Sequence, residues 1–104
     1  MSIPETGKIV IKADPEFAPL IPGYLENRLG DAAKVAALAD AADFGSARRL
    51  GHCMKGSGSG YGFDGISEIG LAMEIAARTP DKAQLKMLAE KLKDYISRLE
   101  VTYE

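Results

Sequence analysis

The chain has 104 residues, the length of one domain, with 46% apolar and 27% charged residues as in an ordinary globular protein. Its formal net charge of −2 argues against a bulk nucleic-acid or anionic-membrane binder, and no apolar run approaches a membrane span. The start, Met1-Ser2-Ile3-Pro4-Glu5, lacks the basic and apolar stretches of a secretory signal; Cys53 is the only cysteine and His52 the only histidine, which excludes an intrachain disulfide, a cysteine-rich zinc site and any mechanism that needs two histidines. A cytoplasmic monomer is expected, with no nucleic-acid and no membrane partner.

Residues 1–13 read as an N-terminal arm, in which Ile9 and Ile11 alternate with Lys8 and Lys12 in the manner of a short strand. Residues 14–104 read as one helical domain. Asp14-Pro15-Glu16 is a helix start, with Asp14 as cap and Pro15 in the first position. Phe17, Leu20, Ile21, Tyr24, Leu25, Leu29, Ala32, Val35 and Ala36 then recur at helical spacing. Pro19, Pro22 and Gly23 interrupt this segment, which is either a short helix followed by a longer one or one kinked helix.

Asp43 caps a second helix whose stripe is Phe44, Ala47, Leu50, Met54 and Tyr61. Gly62-Phe63-Asp64-Gly65 is a turn signal, and a third helix follows with Ile66, Ile69, Met73, Ala76 and Ala77 on one face. Thr79-Pro80-Asp81 opens the fourth, with Thr79 as cap and Pro80 in the first position. Leu85, Leu88, Leu92, Tyr95 and Leu99 form its stripe, and Lys86–Glu90 and Asp94–Arg98 fall at i,i+4 on its solvated side. Four amphipathic segments with short connections imply an all-α fold, an antiparallel four-helix bundle. Burial of the stripes against one another is what stabilises helices that alone would be marginal.

At about 100° per residue, His52 lies roughly 150° from the centre of the second helix's stripe. The bundle thus turns it toward solvent, on a face shared with Arg48, Lys55, Gly56 and Ser59. A neutral imidazole is a nucleophile at physiological pH, and cations one turn away balance a phosphoryl group held on the ring. Gly51, Gly56, Gly58 and Gly60 crowd the same helix, although each interior glycine costs about 0.5–1 kcal/mol relative to alanine. Close approach of another surface is the simplest reason, and Gly56 beside the ring is where it matters most. A lone exposed histidine is otherwise a plain surface residue, and spacing alone leaves the two readings open.

The run Leu50-Gly51-His52-Cys53-Met54-Lys55-Gly56-Ser57-Gly58-Ser59-Gly60-Tyr61-Gly62-Phe63 resembles the signature of the histidine phosphotransfer (HPt) domain family: a His, two residues, Lys-Gly, and a second Gly ten after the His. His52, Lys55, Gly56 and Gly62 match it. Arg48-Arg49-Leu50 before it, and Ile66, Ile69, Gly70 and Met73-Glu74 after it, are also similar to the family, loosely over residues 14–101. The resemblance implies a phosphocarrier rather than a turnover enzyme, with no kinase domain: His52 accepts a phosphoryl group from an aspartyl phosphate on a response-regulator receiver domain, or from a sensor histidine kinase, and passes it on. It implies no cofactor and no metal of the chain's own, Mg²⁺ belonging to the receiver. Lys55 and Glu74 join His52 as catalytic candidates, and Arg48, Arg49, Gly56, Ser59, Gly62 and Gly70 are binding candidates. One departure stands out. Many family members carry a Gln on the third helix that orients the ring through Nδ1; this chain has Glu74 at that position. A carboxylate there accepts Nδ1–H, leaves Nε2 to attack, and favours the imidazolium; a plain exposed helix glutamate is the competing reading.

The glycine-rich run from Gly56 to Gly62 follows no predicted strand and has neither dinucleotide nor Walker spacing, so it is not a nucleotide loop. Cys53 and His52 are adjacent on a helix and diverge, which favours an inert or partly packed thiol over a dyad. The acidic residues show no metal-ligand spacing. Leu71 and Ile75 lie off the third helix's stripe and are expected to pack against the arm, the alternative being a docking surface. An HPt-like module that binds receivers without being phosphorylated is the second functional reading; the presence of both His52 and Lys55 favours the first.

Overall fold

The computed structural model describes residues 3–104, and aspartates cap its 3-10 turn and two of its longer helices. The Asp14 carboxylate accepts from the Glu16 N–H at 2.9 Å and opens a single 3-10 turn over Pro15–Phe17. Helix α1 then spans Ile21–Asp40, so the short-then-long reading of this segment holds. Pro22 sits in the first turn of α1, where its missing N–H has no intrahelical partner to lose. Helix α2 spans Phe44–Gly58 behind Asp43, whose carboxylate accepts from the Ser46 N–H (3.2 Å) and the Ser46 hydroxyl (2.7 Å). Helix α3 spans Asp64–Arg78 and α4 spans Lys82–Ser97.

The cap of the fourth helix is a correction. Asp81, not Thr79, accepts from the Gln84 N–H at 3.0 Å, and the Thr79 hydroxyl donates back to the Ala76 carbonyl at 3.2 Å. The Asp81 carboxylate takes one of the free N–H groups of the first turn, so α4 begins at Lys82 rather than at Pro80. Lys86 also departs from the i,i+4 expectation: it pairs with Asp40 of α1 at 3.0 Å, while Glu90 takes Lys93. The Asp94–Arg98 pair forms as expected, at 3.0 Å.

Helix dominates the chain, but it is not all-α. Ile9–Ala13 forms strand β1 and Leu99–Tyr103 forms β2. They pair in parallel, from Ile9 opposite Leu99 to Ala13 opposite Tyr103. The N-terminal segment therefore belongs to the packed body, with Ile9 and Ala13 buried in the core. Leu99 extends β2 rather than the α4 stripe, because Leu99-Glu100-Val101-Thr102-Tyr103 favours strand and α4 has already stopped at Ser97. The Arg98 guanidinium fastens the ribbon by donating to the Pro4 and Gly7 carbonyls at 2.8 and 3.1 Å.

The core is the union of the four stripes. Val35, Met54, Ile66, Ile69, Met73, Leu85, Leu92 and Tyr95 are buried, with α2 packed most extensively on α3 and α1 on α4. Leu20 and Leu29 stay exposed, and Phe63, read as a turn residue, is fully buried instead. Phe63 stacks on Tyr24, which also meets Tyr61 at 4.5 Å, closing one end of the core with aromatic rings. The Tyr24 hydroxyl lies 2.7 Å from Ser57 Oγ and ties α1 to α2.

The α2–α3 seam is close enough to bring backbone against backbone. A Cβ on Gly51 would fall 2.7 Å from the Gly70 carbonyl oxygen, and one on Gly70 would fall 2.5 Å from the Lys55 nitrogen. A Cβ on Gly58 would fall 2.6 Å from the Ser67 nitrogen. Gly51, Gly58 and Gly70 are thus helix-packing residues, which corrects the expectation that the glycines serve an incoming partner. Only Gly56 and Gly60 of that cluster face open space.

Candidate functional site

The tight seam between α2 and α3 decides where the site's side chains meet. Gly51 and Gly70 bring the helices together beside His52 on α2 and Glu74 on α3. His52 presents 66% of its side chain to solvent, as its helical position predicts, whereas the Glu74 side chain is only 5% exposed. The plain exposed glutamate is therefore excluded. Glu74 Oε2 lies 2.9 Å from His52 Nδ1, and Glu74 Oε1 accepts from Lys55 Nζ at 3.0 Å. A second cation, the Arg78 guanidinium, stands 3.9 Å from Oε2.

This geometry fixes the chemistry of the ring. The hydrogen bond from Lys55 holds the Glu74 carboxyl below the usual carboxylate range; burial opposes the shift, and the His52 contact and the charges of Lys55 and Arg78 add to it. An ionised carboxylate only accepts, so Nδ1 carries the proton facing it. In the neutral ring Nε2 then holds the lone pair, on the side away from Glu74.

Arg48, Arg49, His52, Lys55, Glu74 and Arg78 share an open cleft of about 680 Å³. Within it, Arg49 also donates to the Ser46 hydroxyl at 2.9 Å. Four cations against one carboxylate make this a positive patch on a chain of net charge −2. Cys53 is exposed at its edge.

The remaining candidates divide by role. Gly56 is open, with no atom near a Cβ built on it. Ser59 is exposed, but its N–H and hydroxyl both donate to Ser67 Oγ, at 2.8 and 3.1 Å. Ser67 in turn donates to the Lys55 carbonyl at 2.9 Å, so it pins the end of α2 to α3. Gly62 has φ +94° and makes the left-handed turn that lets the chain reverse into α3, a conformation glycine tolerates at least cost. Gly70 is buried in the seam. Ile9 and Ile11 of the N-terminal strand lie near Gly62, Asp64 and Gly65, and Leu71 and Ile75 are among the exposed large apolar side chains. They are 43% and 51% exposed on α3, beside Glu74 in sequence.

Arg78 is the site residue that sequence reading missed. Its signal was present, since it follows Glu74 by four on the same helix. Among the described residues no group of three His, Cys, Asp or Glu side chains is arranged to hold a metal ion, and no helix is long and apolar enough to cross a membrane. Comparison of the chain with family models, curated proteins and solved structures finds no match.

Proposed function

We propose that this chain is a histidine phosphotransfer protein, a cytoplasmic phosphocarrier built on four antiparallel helices, that accepts and donates a phosphoryl group on His52. The observation that carries the reading is the solvent-open imidazole held at Nδ1 by a buried carboxylate, 2.9 Å away, with cations around it. The Nε2 lone pair attacks the phosphorus of an aspartyl phosphate on a receiver domain. The N–P bond forms as the P–O bond to the aspartyl carboxyl breaks, and the electron pair leaves on that carboxylate. Nδ1 keeps its proton, so positive charge develops on the ring, where Glu74 faces it. The reverse sequence passes the group to a second receiver. Mg²⁺ belongs to the receiver, which also supplies the acidic side chains.

Docking needs an open surface, and the exposed features of α2 and α3 are its candidates. Gly56 offers no side chain beside the ring, Arg48 and Arg49 supply positive charge, and Leu71 and Ile75 add apolar surface on α3. A receiver with an acidic rim and an apolar helix face fits that combination.

Phosphoramidate, a small N–P phosphodonor, tests the histidine without a partner. Intact-mass measurement should show one phosphoryl adduct, acid-labile and base-stable, that disappears in His52→Gln. A panel of aspartyl-phosphorylated receiver domains should then load the wild-type chain. Label retained by His52→Gln would sink the assignment, and docking without loading by any donor would favour the non-catalytic binding module.

A further inference from the structure

Glu74 poses a problem that its own geometry answers. A carboxylate beside an imidazole stabilises the imidazolium, which has no lone pair with which to attack. A site that must keep a neutral ring therefore needs that negative charge offset by something other than the ring. Lys55 Nζ takes Oε1 at 3.0 Å, which leaves Oε2 for the ring at 2.9 Å. Arg78 Nη2 approaches that same Oε2, at 3.9 Å, from one turn further along α3. Its side chain remains 56% exposed, so it is a nearby charge rather than a buried clamp.

From this arrangement we infer that Arg78 is a positioning residue of the site: it offsets the charge on the Glu74 oxygen that holds the ring, so that His52 is oriented by a carboxylate without being trapped as imidazolium. The inference rests on the reading of His52 as phosphoacceptor. The groups facing Glu74 are His52 and Lys55 from α2 and Arg78 from α3, with Arg48 and Arg49 across the cleft on α2. Lys55 and Arg78 together outweigh the single negative charge, so a protonated ring would add a third cation to one carboxylate. With Arg78 removed, the carboxylate is free to favour that protonated ring.

The test uses the whole 104-residue chain in its unphosphorylated form, so it does not depend on any phosphodonor. ¹⁵N-detected NMR follows the His52 ring through a pH titration in wild type, Arg78→Ala and Arg78→Lys. Arg78→Ala should move the ring's titration to higher pH by about half a unit, in keeping with an exposed ion pair. The shift should shrink in high salt, because the charge is screened. Arg78→Lys should restore the wild-type curve, and Arg78→Ala made on a Glu74→Gln background should move the ring less, because the neutral amide no longer draws the guanidinium toward it. Superimposable titrations of wild type and Arg78→Ala at low salt would overturn the inference, as would an equal shift on the Glu74→Gln background. If the titration behaves as described but phosphoramidate and receivers leave His52 unlabelled, the inference stands as a statement about the ring and the phosphocarrier reading fails. If labelling succeeds while the titration does not move, the reverse holds. When the unphosphorylated chain is loaded by a donor, the acid limb of the loading rate should follow the titration, which a merely structural arginine would not produce.

Discussion

Glu74 concentrates the site's electrostatics in one carboxylate, and its titration has a definite sign. Its carboxyl is held below the ordinary value of 4.5, first by the hydrogen bond from Lys55, so the network stays ionised as pH falls into the acid range. A depressed carboxyl contributes stability that is fully present above its unfolded pKa and lost as pH falls through the lower folded value. A ¹³C carboxyl titration should therefore place Glu74 below 4.5, and Lys55→Met should move it upward. A midpoint unchanged by Lys55→Met would mean that the ammonium contact at 3.0 Å does not persist in solution. Lys55 has a second consequence at this scale. Its ammonium is already bonded to Glu74, so stabilising a phosphoryl group requires it to share or exchange partners, and Lys55→Ala should slow transfer only modestly. The glycines separate in the same residue-by-residue way. Gly56→Ala should be neutral or stabilising by up to about 1 kcal/mol, since the site is helical and open. Gly56→Leu should keep the helical signal and block receiver docking. Gly51→Ala should instead lower stability by about 1–3 kcal/mol, because its Cβ meets the α3 backbone. Thermal melts of the three variants decide this, and a fully stable Gly51→Ala would mean the seam is looser than described. The difference was legible in the sequence: Gly51 and Gly58 share the stripe of Ala47 and Met54, while Gly56 shares the face of His52.

The helices were readable because each apolar stripe keeps one period for several turns. Their ends were not always readable, because two polar residues around a proline compete for the same role. Thr79 and Asp81 flank Pro80, and spacing does not separate them; the carboxylate that reaches the Gln84 N–H does. Asp81→Ala should cost about 1 kcal/mol, the usual worth of a helix cap, and Thr79→Ala clearly less. Equal losses in denaturant unfolding would return the cap to Thr79. The connection between α1 and α2 carries an unusual residue as well: Ala42 adopts φ 58°, a left-handed conformation that costs a side-chain-bearing residue more than glycine. Ala42→Gly should stabilise the chain by about 0.5–1 kcal/mol, despite the added freedom of the unfolded state. No sequence signal marks this turn, since alanine is a helix former and the reversal is imposed by where α2 must pack.

The molecule is closed by a contact that its periodicity does not announce. A short alternation near each end of the chain is weak evidence for a strand, and two such segments pair only because the four helices bring the ends together. Parallel pairing also needs a long connection between its strands, which the helical body supplies here. A two-stranded sheet is marginal by itself, so this ribbon depends on packing against the helices. Ile9 is the largest buried side chain of that packing, at 6% exposure, while its neighbour Val10 is 56% exposed. Ile9→Ala should cost about 2–5 kcal/mol, the range for deleting a buried isoleucine to alanine, and Val10→Ala close to nothing. At about 4–8 °C per kcal/mol for a domain of this size, the first variant should melt at least roughly 8 °C below the second. The site should not register the change. The ribbon packs near Gly62, Asp64 and Gly65, at the start of α3, whereas Glu74 lies ten residues further on, roughly 15 Å along the helix. The His52 ring resonances of Ile9→Ala should therefore match those of wild type at temperatures below its transition. Equal melting temperatures for the two variants would show that β1 does not contribute to the core. A lower melting temperature with displaced ring resonances would show instead that the start of α3 and the His52–Glu74 contact move together, and that the ribbon at the chain ends sets the geometry of the site.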